Sequence, residues 1–249
     1  MPVAIIAGTM VYSIPGKELK EEIIETPYGP ARINRVAGGA EDLIFLARHG
    51  IQHDTPPHKI NYRANIKALE MLGVKRVLAT NAVGSINEDI PPLGLAVLTD
   101  FLDFTSGRES TFFDGGDSGV SHVDMSIPYC PALNTQLLAL APSFDIQLRH
   151  EAVYVCTNGP RLESPAEIRA YAQMGGDVVG MTGIPEATLA RELGLCYAAL
   201  AFSVNWAAGI EKTIRFVGSS GNFEKIKANM LALFIETLRT TRDEDCCKQ

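Results

Sequence analysis

Short, almost wholly apolar runs punctuate the chain: VAIIAG at 3–8, DLIFLA at 42–47, RVLATNAVG at 76–84, LAVLTDFL at 95–102, EAVYVC at 151–156, DVVGMTG at 177–183 and CYAALAFSVN at 196–205. Aliphatic runs of this length, without polar alternation, predict strands buried on both faces. Between them the period changes. Residues 61–73 place Ile66, Leu69, Met71 and Leu72 near one face and stop at Gly73, as an amphipathic helix does. Residues 164–176 begin with Ser164, carry Pro165 in the first turn and Glu167 three positions after the serine, which predicts a capped helix. Residues 184–195 and 222–242 also read as helices. Strands and helices in alternation predict an α/β chain on a central mixed or mainly parallel sheet.

No internal repeat, low-complexity tract or interdomain linker breaks this pattern. One domain over 1–242 with a polar tail at 243–249 is expected; SIPGKELKEE and TFFDGGDSGVSH read as excursions. Hydrophobic residues make up 46% and charged residues 20% of the 249, a balance that supports a compact core. The net charge of -7 argues against a nucleic-acid surface, so any bound anion must be held locally. The start, MPVAIIAGTM, lacks the features of a signal peptide, and no stretch reaches the roughly 20 apolar residues of a membrane span. A cytoplasmic location without a membrane partner is the expectation.

Cys130, Cys156, Cys196, Cys246 and Cys247 are odd in number and lack CxxC spacing, which fits neither a zinc site nor a disulfide scaffold. The first three are expected as buried thiols, the last two as exposed thiols in the tail RDEDCCKQ.

Candidate chemistry gathers where the apolar runs end, the place where α/β folds bind ligands. Gly8-Thr9 can offer an amide and a hydroxyl to an anion, although GTM completes neither a dinucleotide fingerprint nor a P-loop. Arg48 and His49 leave a strand together, an Arg fork suited to a tetrahedral anion with His49 as a second donor. His53 and His58 follow closely, but Gly50 and Pro56-Pro57 break any helix that would align the three imidazoles on a metal, and both read as loop supports. The small residues of 80–85 either admit a ligand to their backbone or form a packed turn. Glu163 either pairs with the N–H edge of a heterocycle or serves the helix that follows. Met181 and Thr182 suit a sugar face and an anion, or a core and a helix cap. Asn205 ends a very apolar strand, where a ligand edge or a structural hydrogen bond would satisfy its amide.

Taken in order, AGTM, RHGIQHDTPPHKINYRANIKAL, NAVGS, HVDMSIPYCP, NGPRLE, VVGMTGIPEATLARELGL and SVNWAAG resemble the purine nucleoside phosphorylase superfamily, in its methylthioadenosine phosphorylase branch, from about Val3 to about Gly209. The resemblance implies a single α/β domain with a mixed, partly barrel-like sheet, assembled as a homotrimer. It implies phosphorolysis of a purine nucleoside, with phosphate as co-substrate and no metal or organic cofactor. Thr9, Arg48, His49, the Ala82 backbone and Thr182 would then hold phosphate, Met181 would lie along the ribose, and Val83, Gly84, Leu162, Glu163 and Asn205 would surround the base. Asn205 and His49 would be the catalytic residues, without a protein nucleophile.

The departures within the family carry specificity. Adenine-specific members place Asp where this chain has Asn205 and again where it has Ala207; Asn205 and Glu163 instead match the 6-oxopurine enzymes. Inosine and guanosine enzymes hold the 5′-hydroxyl with a late histidine, and none follows His150 here. The methylthio branch has an apolar pocket at the positions of Phe223 and Ile226, with His122 arriving from a neighbouring subunit. Together these favour 5′-methylthioinosine over methylthioadenosine, inosine or guanosine. AGTM replaces a GGTG-like loop, so Met10 is expected to narrow the phosphate entrance and lower activity. The rival of another class is a non-catalytic purine nucleoside binding protein.

Overall fold

A computed structural model describes residues 1–37, 42–218 and 221–246. Nine strands follow in order: β1 (Val3–Ala7), β2 (Leu19–Thr26), β3 (Gly29–Val36), β4 (Leu43–Ala47), β5 (Arg76–Ser85), β6 (Leu95–Asp103), β7 (Leu148–Cys156), β8 (Val178–Gly180) and β9 (Cys196–Trp206). Five α-helices accompany them: α1 (Tyr62–Met71), α2 (Pro131–Leu140), α3 (Pro165–Gln173), α4 (Gly183–Glu192) and α5 (Gly221–Thr240).

All nine strands form one sheet in the order β2-β3-β4-β1-β5-β8-β7-β6-β9, and β9 returns to pair with β5. Five strands therefore close into a mixed barrel, with β1, β4 and the β2–β3 hairpin continuing outward from β5. The parallel neighbours β4, β1, β5 and β9 run in register and deliver their carboxyl ends to one side.

The unbroken apolar runs are explained by the alternation of side chains along a strand. On β9, Tyr197, Ala199 and Ala201 face one core, while Cys196, Ala198, Leu200 and Phe202 face a second. On β5, Val77 and Ala79 join the first core and Leu78 the second. Helices α1 and α4 pair over the first core, and α2 and α5 over the second. Each fully buried Leu, Ile or Phe here contributes about 1.5–3 kcal/mol.

The β2–β3 hairpin is absent from the sequence reading, which places SIPGKELKEE in an excursion. Its strands, LKEEIIET and GPARINRV, are half-exposed, so charges interrupt the apolar pattern that marks the others. Helix α2 carries no clear periodic pattern in the sequence; Pro131 at its start supplies the helix-compatible backbone. Among the described residues no helix is long and apolar enough to cross a membrane.

The cysteines correct the expectation. Cys130 and Cys196 form a disulfide, and Cys246 is buried beside them instead of exposed. Cys156 is a buried thiol, as read, and Cys247 lies outside the described residues.

Candidate active site

A cavity of about 160 Å³ opens where the ends of β1, β4, β5, β8 and β9 converge. Thr9, His49, Ala82, Val83, Gly84, Leu162, Glu163, Met181, Thr182 and Asn205 all line it. Residues dispersed over most of the sequence meet because each follows, or ends, a strand whose register is fixed.

Arg48 stands behind this wall and not on it. Its side chain is fully buried, with Nε and Nη2 donating to the two carboxylate oxygens of Glu186 at 2.9 and 2.6 Å and Nη1 donating to the Thr80 carbonyl at 2.7 Å. Burial alone lowers the pKa of a guanidinium, but the charge and hydrogen bonds of Glu186 outweigh that and raise it. Tyr197 also donates to Glu186, at 2.8 Å. The Nε–Nη2 fork of Arg48 is thus occupied by a carboxylate from α4, and the second N–H groups of Nη1 and Nη2 are what it has left for the anion expected from the sequence. Glu186 was overlooked, although a lone acid in the apolar stretch GIPEATLA signals a buried partner. Gly8 follows from the same pair, since a Cβ there would sit 2.9 Å from Arg48 Nη1 and 2.8 Å from the Thr80 carbonyl.

His49 has a fixed tautomer. Its Nδ1 lies 2.9 Å from the Thr55 carbonyl, which can only accept, so Nδ1 carries the proton and Nε2 is left as an acceptor. Burial pushes the imidazole down to about 4; the Thr55 hydrogen bond opposes this, while the charges of Arg48 and His53 add to it. As a neutral ring protonated on Nδ1 it offers Nε2 as a hydrogen-bond acceptor, where the sequence suggested a donor. His53 packs on it, ring centroids 4.7 Å apart, and His58 does not line the cavity.

Thr182 and Gly183 are held by the buried Tyr154, whose hydroxyl accepts from both amides at 3.1 and 3.2 Å. A Cβ at Gly180 or Gly183 would lie within 2.6 or 2.8 Å of that Tyr ring or hydroxyl, so both glycines permit the approach. Thr182 Oγ1 donates to Asn81 Oδ1 at 3.3 Å, and Asn81 Nδ2, buried, has no hydrogen-bond partner among the described residues. Arg108 ties the neighbouring loops together by donating to the carbonyls of Ile184, Met181, Asn158 and Thr157 at 2.6–3.2 Å. Neither Asn81 nor Arg108 emerged from the sequence, because their partners are backbone or distant in the chain.

The other end of the cavity carries Glu163 and Asn205. The cap of α3 is completed by Ser164 and Glu167, so Glu163 is not the capping residue. The Thr157 hydroxyl donates to Glu163 Oε1 at 2.7 Å and holds the carboxylate at the cavity wall. Asn205, buried, donates from Nδ2 to the Trp206 carbonyl at 2.7 Å, which leaves Oδ1 and a second N–H. Gly84 makes room for this amide: a Cβ there would lie 3.2 Å from Asn205 Nδ2. Ala207 and Ala208 complete that wall.

Two predicted residues lie elsewhere. Phe223 is stacked on Phe202, ring centroids 5.3 Å apart, in the second core, and Ile226 faces a separate surface groove. The apolar wall is supplied instead by Ile214 and Phe216, from the loop before α5. His122, expected to arrive from a neighbouring subunit, is exposed and lies outside its own chain's cavity. Met10 lines the cavity with a left-handed backbone, φ +72°, where a glycine would rest without strain.

The chain matches the phosphorylase superfamily over residues 2–239. It is 51% identical to a probable 6-oxopurine nucleoside phosphorylase of Moorella thermoacetica, over 86% of this chain and 82% of that protein. A probable S-methyl-5′-thioinosine phosphorylase of Methanocaldococcus jannaschii is 49% identical over 90% of this chain and 86% of its own. Among solved structures, methylthioadenosine phosphorylase from Schistosoma mansoni in complex with tubercidin superposes with a TM-score of 0.86 at 30% identity, covering 96% of this chain and 90% of that one.

Proposed function

Because this chain belongs to the phosphorylase superfamily, we propose that it catalyses phosphorolysis of a 6-oxopurine nucleoside, with 5′-methylthioinosine as the preferred substrate. Phosphate attacks C1′, the bond from C1′ to the purine breaks, and the products are hypoxanthine and 5-methylthioribose 1-phosphate. The relatives named as 6-oxopurine and S-methyl-5′-thioinosine phosphorylases support this reaction class.

The observation that carries the base assignment is an amide, not a carboxylate, at the strand end: Asn205 beside Glu163, with Ala207 adjacent. The amide donates to O6 and accepts from protonated N7 as negative charge develops on the departing base. Contacts made in the transition state are worth about 2.7–4 kcal/mol each by analogy with oxyanion donors. Phosphate occupies the opposite end, among Thr9, His49, Ala82 and Thr182. His49 Nε2 accepts a hydrogen bond from the P–O–H of the phosphate monoanion and so helps to orient the nucleophile toward C1′. A half-turn of the Asn81 amide turns Nδ2 toward Thr182 Oγ1 and frees that hydroxyl proton for a phosphate oxygen. Arg48 supplies positive charge from behind and holds the Gly8 loop in place.

The 5′ group takes the apolar part of the lining, Ile214 and Phe216, a pair that suits a methylthio group and leaves a 5′-hydroxyl unpaired. A homotrimer in which His122 of one subunit approaches the next subunit's cavity belongs to the same reading. The reaction as written balances with phosphate as co-substrate and without a metal or organic cofactor. A soluble cytoplasmic enzyme is the corresponding expectation for location.

Phosphate-dependent base release distinguishes the alternatives. Methylthioinosine should be cleaved faster than inosine and much faster than methylthioadenosine, and Asn205→Asp should shift preference toward the adenine substrate. Comparable adenine release by the wild type sinks the Asn205 assignment. Faster turnover of inosine sinks the 5′ assignment and favours the second reading, an inosine and guanosine phosphorylase, which the 6-oxopurine relatives motivate.

A further inference from the structure

A cluster of reactive side chains lies far from the nucleoside cavity. Cys196 opens β9 and Asn205 lies near its other end, about 30 Å away at about 3.3 Å per residue. Three sulfurs meet at the Cys196 end. Cys130 and Cys196 are joined by a disulfide across 66 residues of sequence, and Cys246 Sγ lies 4.0 Å from Cys130 Sγ. All three are buried, with their sulfurs within 4.8 Å of one another. Among the described residues this is the one group of His, Cys, Asp or Glu close enough to share an ion.

The surrounding fold builds this meeting point. Cys130 is the N-cap of α2, where the helix start stabilises a thiolate, and its amide donates to the Tyr197 carbonyl at 2.7 Å, which fixes it beside Cys196. Cys246 is delivered by a clasp. Arg76 donates from Nη1 to the Leu238 and Thr241 carbonyls at the end of α5 and pairs with Asp243 at 2.9 Å, three residues before Cys246. Arg76 is also the cross-strand neighbour of Cys196, so the residue that fastens the tail borders the sulfurs. A small cavity of about 10 Å³, lined by Pro128, Cys130, Arg191, Leu195 and Cys196 among others, adjoins the sulfurs.

We propose that, in the reduced protein, Cys130, Cys196 and Cys246 bind one Cu(I) ion as three thiolates. A dithiol reductant supplies the two electrons and two protons that open the Cys130–Cys196 bond and is itself oxidised to a disulfide. The ion then displaces three thiol protons to solvent. Thiolate sulfur selects Cu(I) or zinc, and structural zinc takes four ligands where the described residues offer three. Sulfurs about 2.3 Å from a metal in a trigonal plane stand about 4 Å apart, the separation observed between Cys130 and Cys246. Arg76 and Arg191 offset the negative charge of the three-thiolate complex. The disulfide is the closed, metal-free form.

Anaerobic titration of the full chain with Cu(I), against a chromogenic chelator, tests the site independently of the nucleoside chemistry. Protein reduced with dithiothreitol and desalted should take one equivalent, and diamide-oxidised protein should take none. Cys196→Ser and Cys246→Ser should each weaken binding by more than about 100-fold, whereas Cys156→Ser and Cys247→Ser retain it. Unchanged phosphorolysis by Cys246→Ser serves as the check that this variant folds. Equal binding by reduced and oxidised protein, wild-type affinity in Cys246→Ser, or loss of binding in Cys247→Ser overturns the proposal.

Discussion

The walls of the cavity are built in two ways. Those proposed to hold the base and the phosphate are made by residues on or after strands, locked from behind by Arg48 and Glu186. The wall proposed to hold the 5′ group is made by a loop, with Ile214 and Phe216 joined to the sheet where the Val217 amide donates to the Val204 carbonyl at 2.7 Å. Register fixes the strand-borne walls and leaves the loop wall adaptable. The chemistry is thus placed on the rigid frame, while discrimination among 5′ groups rests on side chains that can be exchanged without disturbing it.

The sharpest break to this contrast is Glu186→Gln. It leaves Arg48 buried with a neutral partner and should cost about 3–5 kcal/mol of stability in urea unfolding. A stable, active variant would mean that the frame does not depend on this pair. Next come two phenylalanines with opposite fates. Phe223→Ala should cost about 3–5 kcal/mol of stability as a core truncation. Phe216→Ala should spare stability and reduce preference for methylthioinosine over inosine by roughly 10-fold, since a lost apolar contact is worth about 1–3 kcal/mol. If Phe223→Ala instead alters selectivity alone, the helix and not the loop forms the 5′ pocket.

His49 sharpens the contrast through pH. Its pKa is lowered from 6.5 to about 4, so the unfolded chain binds a proton more readily than the folded one. The stability this contributes is present above about pH 6.5 and is lost as pH falls toward 4, on the order of 3 kcal/mol in all. His49→Gln should flatten the difference in unfolding free energy between pH 7 and pH 4.5. The smallest expected effect is that of Met10→Gly. Relief of the left-handed backbone should raise stability by about 1 kcal/mol, and turnover should rise if Met10 narrows the phosphate entrance. Lower turnover would show that the Met10 side chain serves the 5′ pocket.

What could be read in the sequence follows the same division. Asn205, Thr182, His49 and Ala82 were legible because an apolar run ending in a polar residue marks a strand end, and strand ends converge. Arg48 was legible as a residue of the site, yet its direction was not, because its partner Glu186 lies 138 positions away. Phe223 was misplaced because a helix turns each residue by its own register, which the spacing alone does not orient. Ile214 and Phe216 lie in a segment without periodicity. The β2–β3 hairpin escaped because its charges hide the pattern, and the Cys130–Cys196 pairing because proximity across 66 residues leaves no local trace.

Closure of the barrel also governs how the molecule meets its own copies at high concentration. Because β9 returns to β5, β2 is the strand of the sheet left with one neighbour among the described residues. An open edge invites a strand from another molecule to add to it and seed an aggregate. Here that edge reads LKEEIIET, with Lys20, Glu21 and Glu25 exposed. The ring confines the risk of cross-molecular pairing to one border, and the charges guard that border.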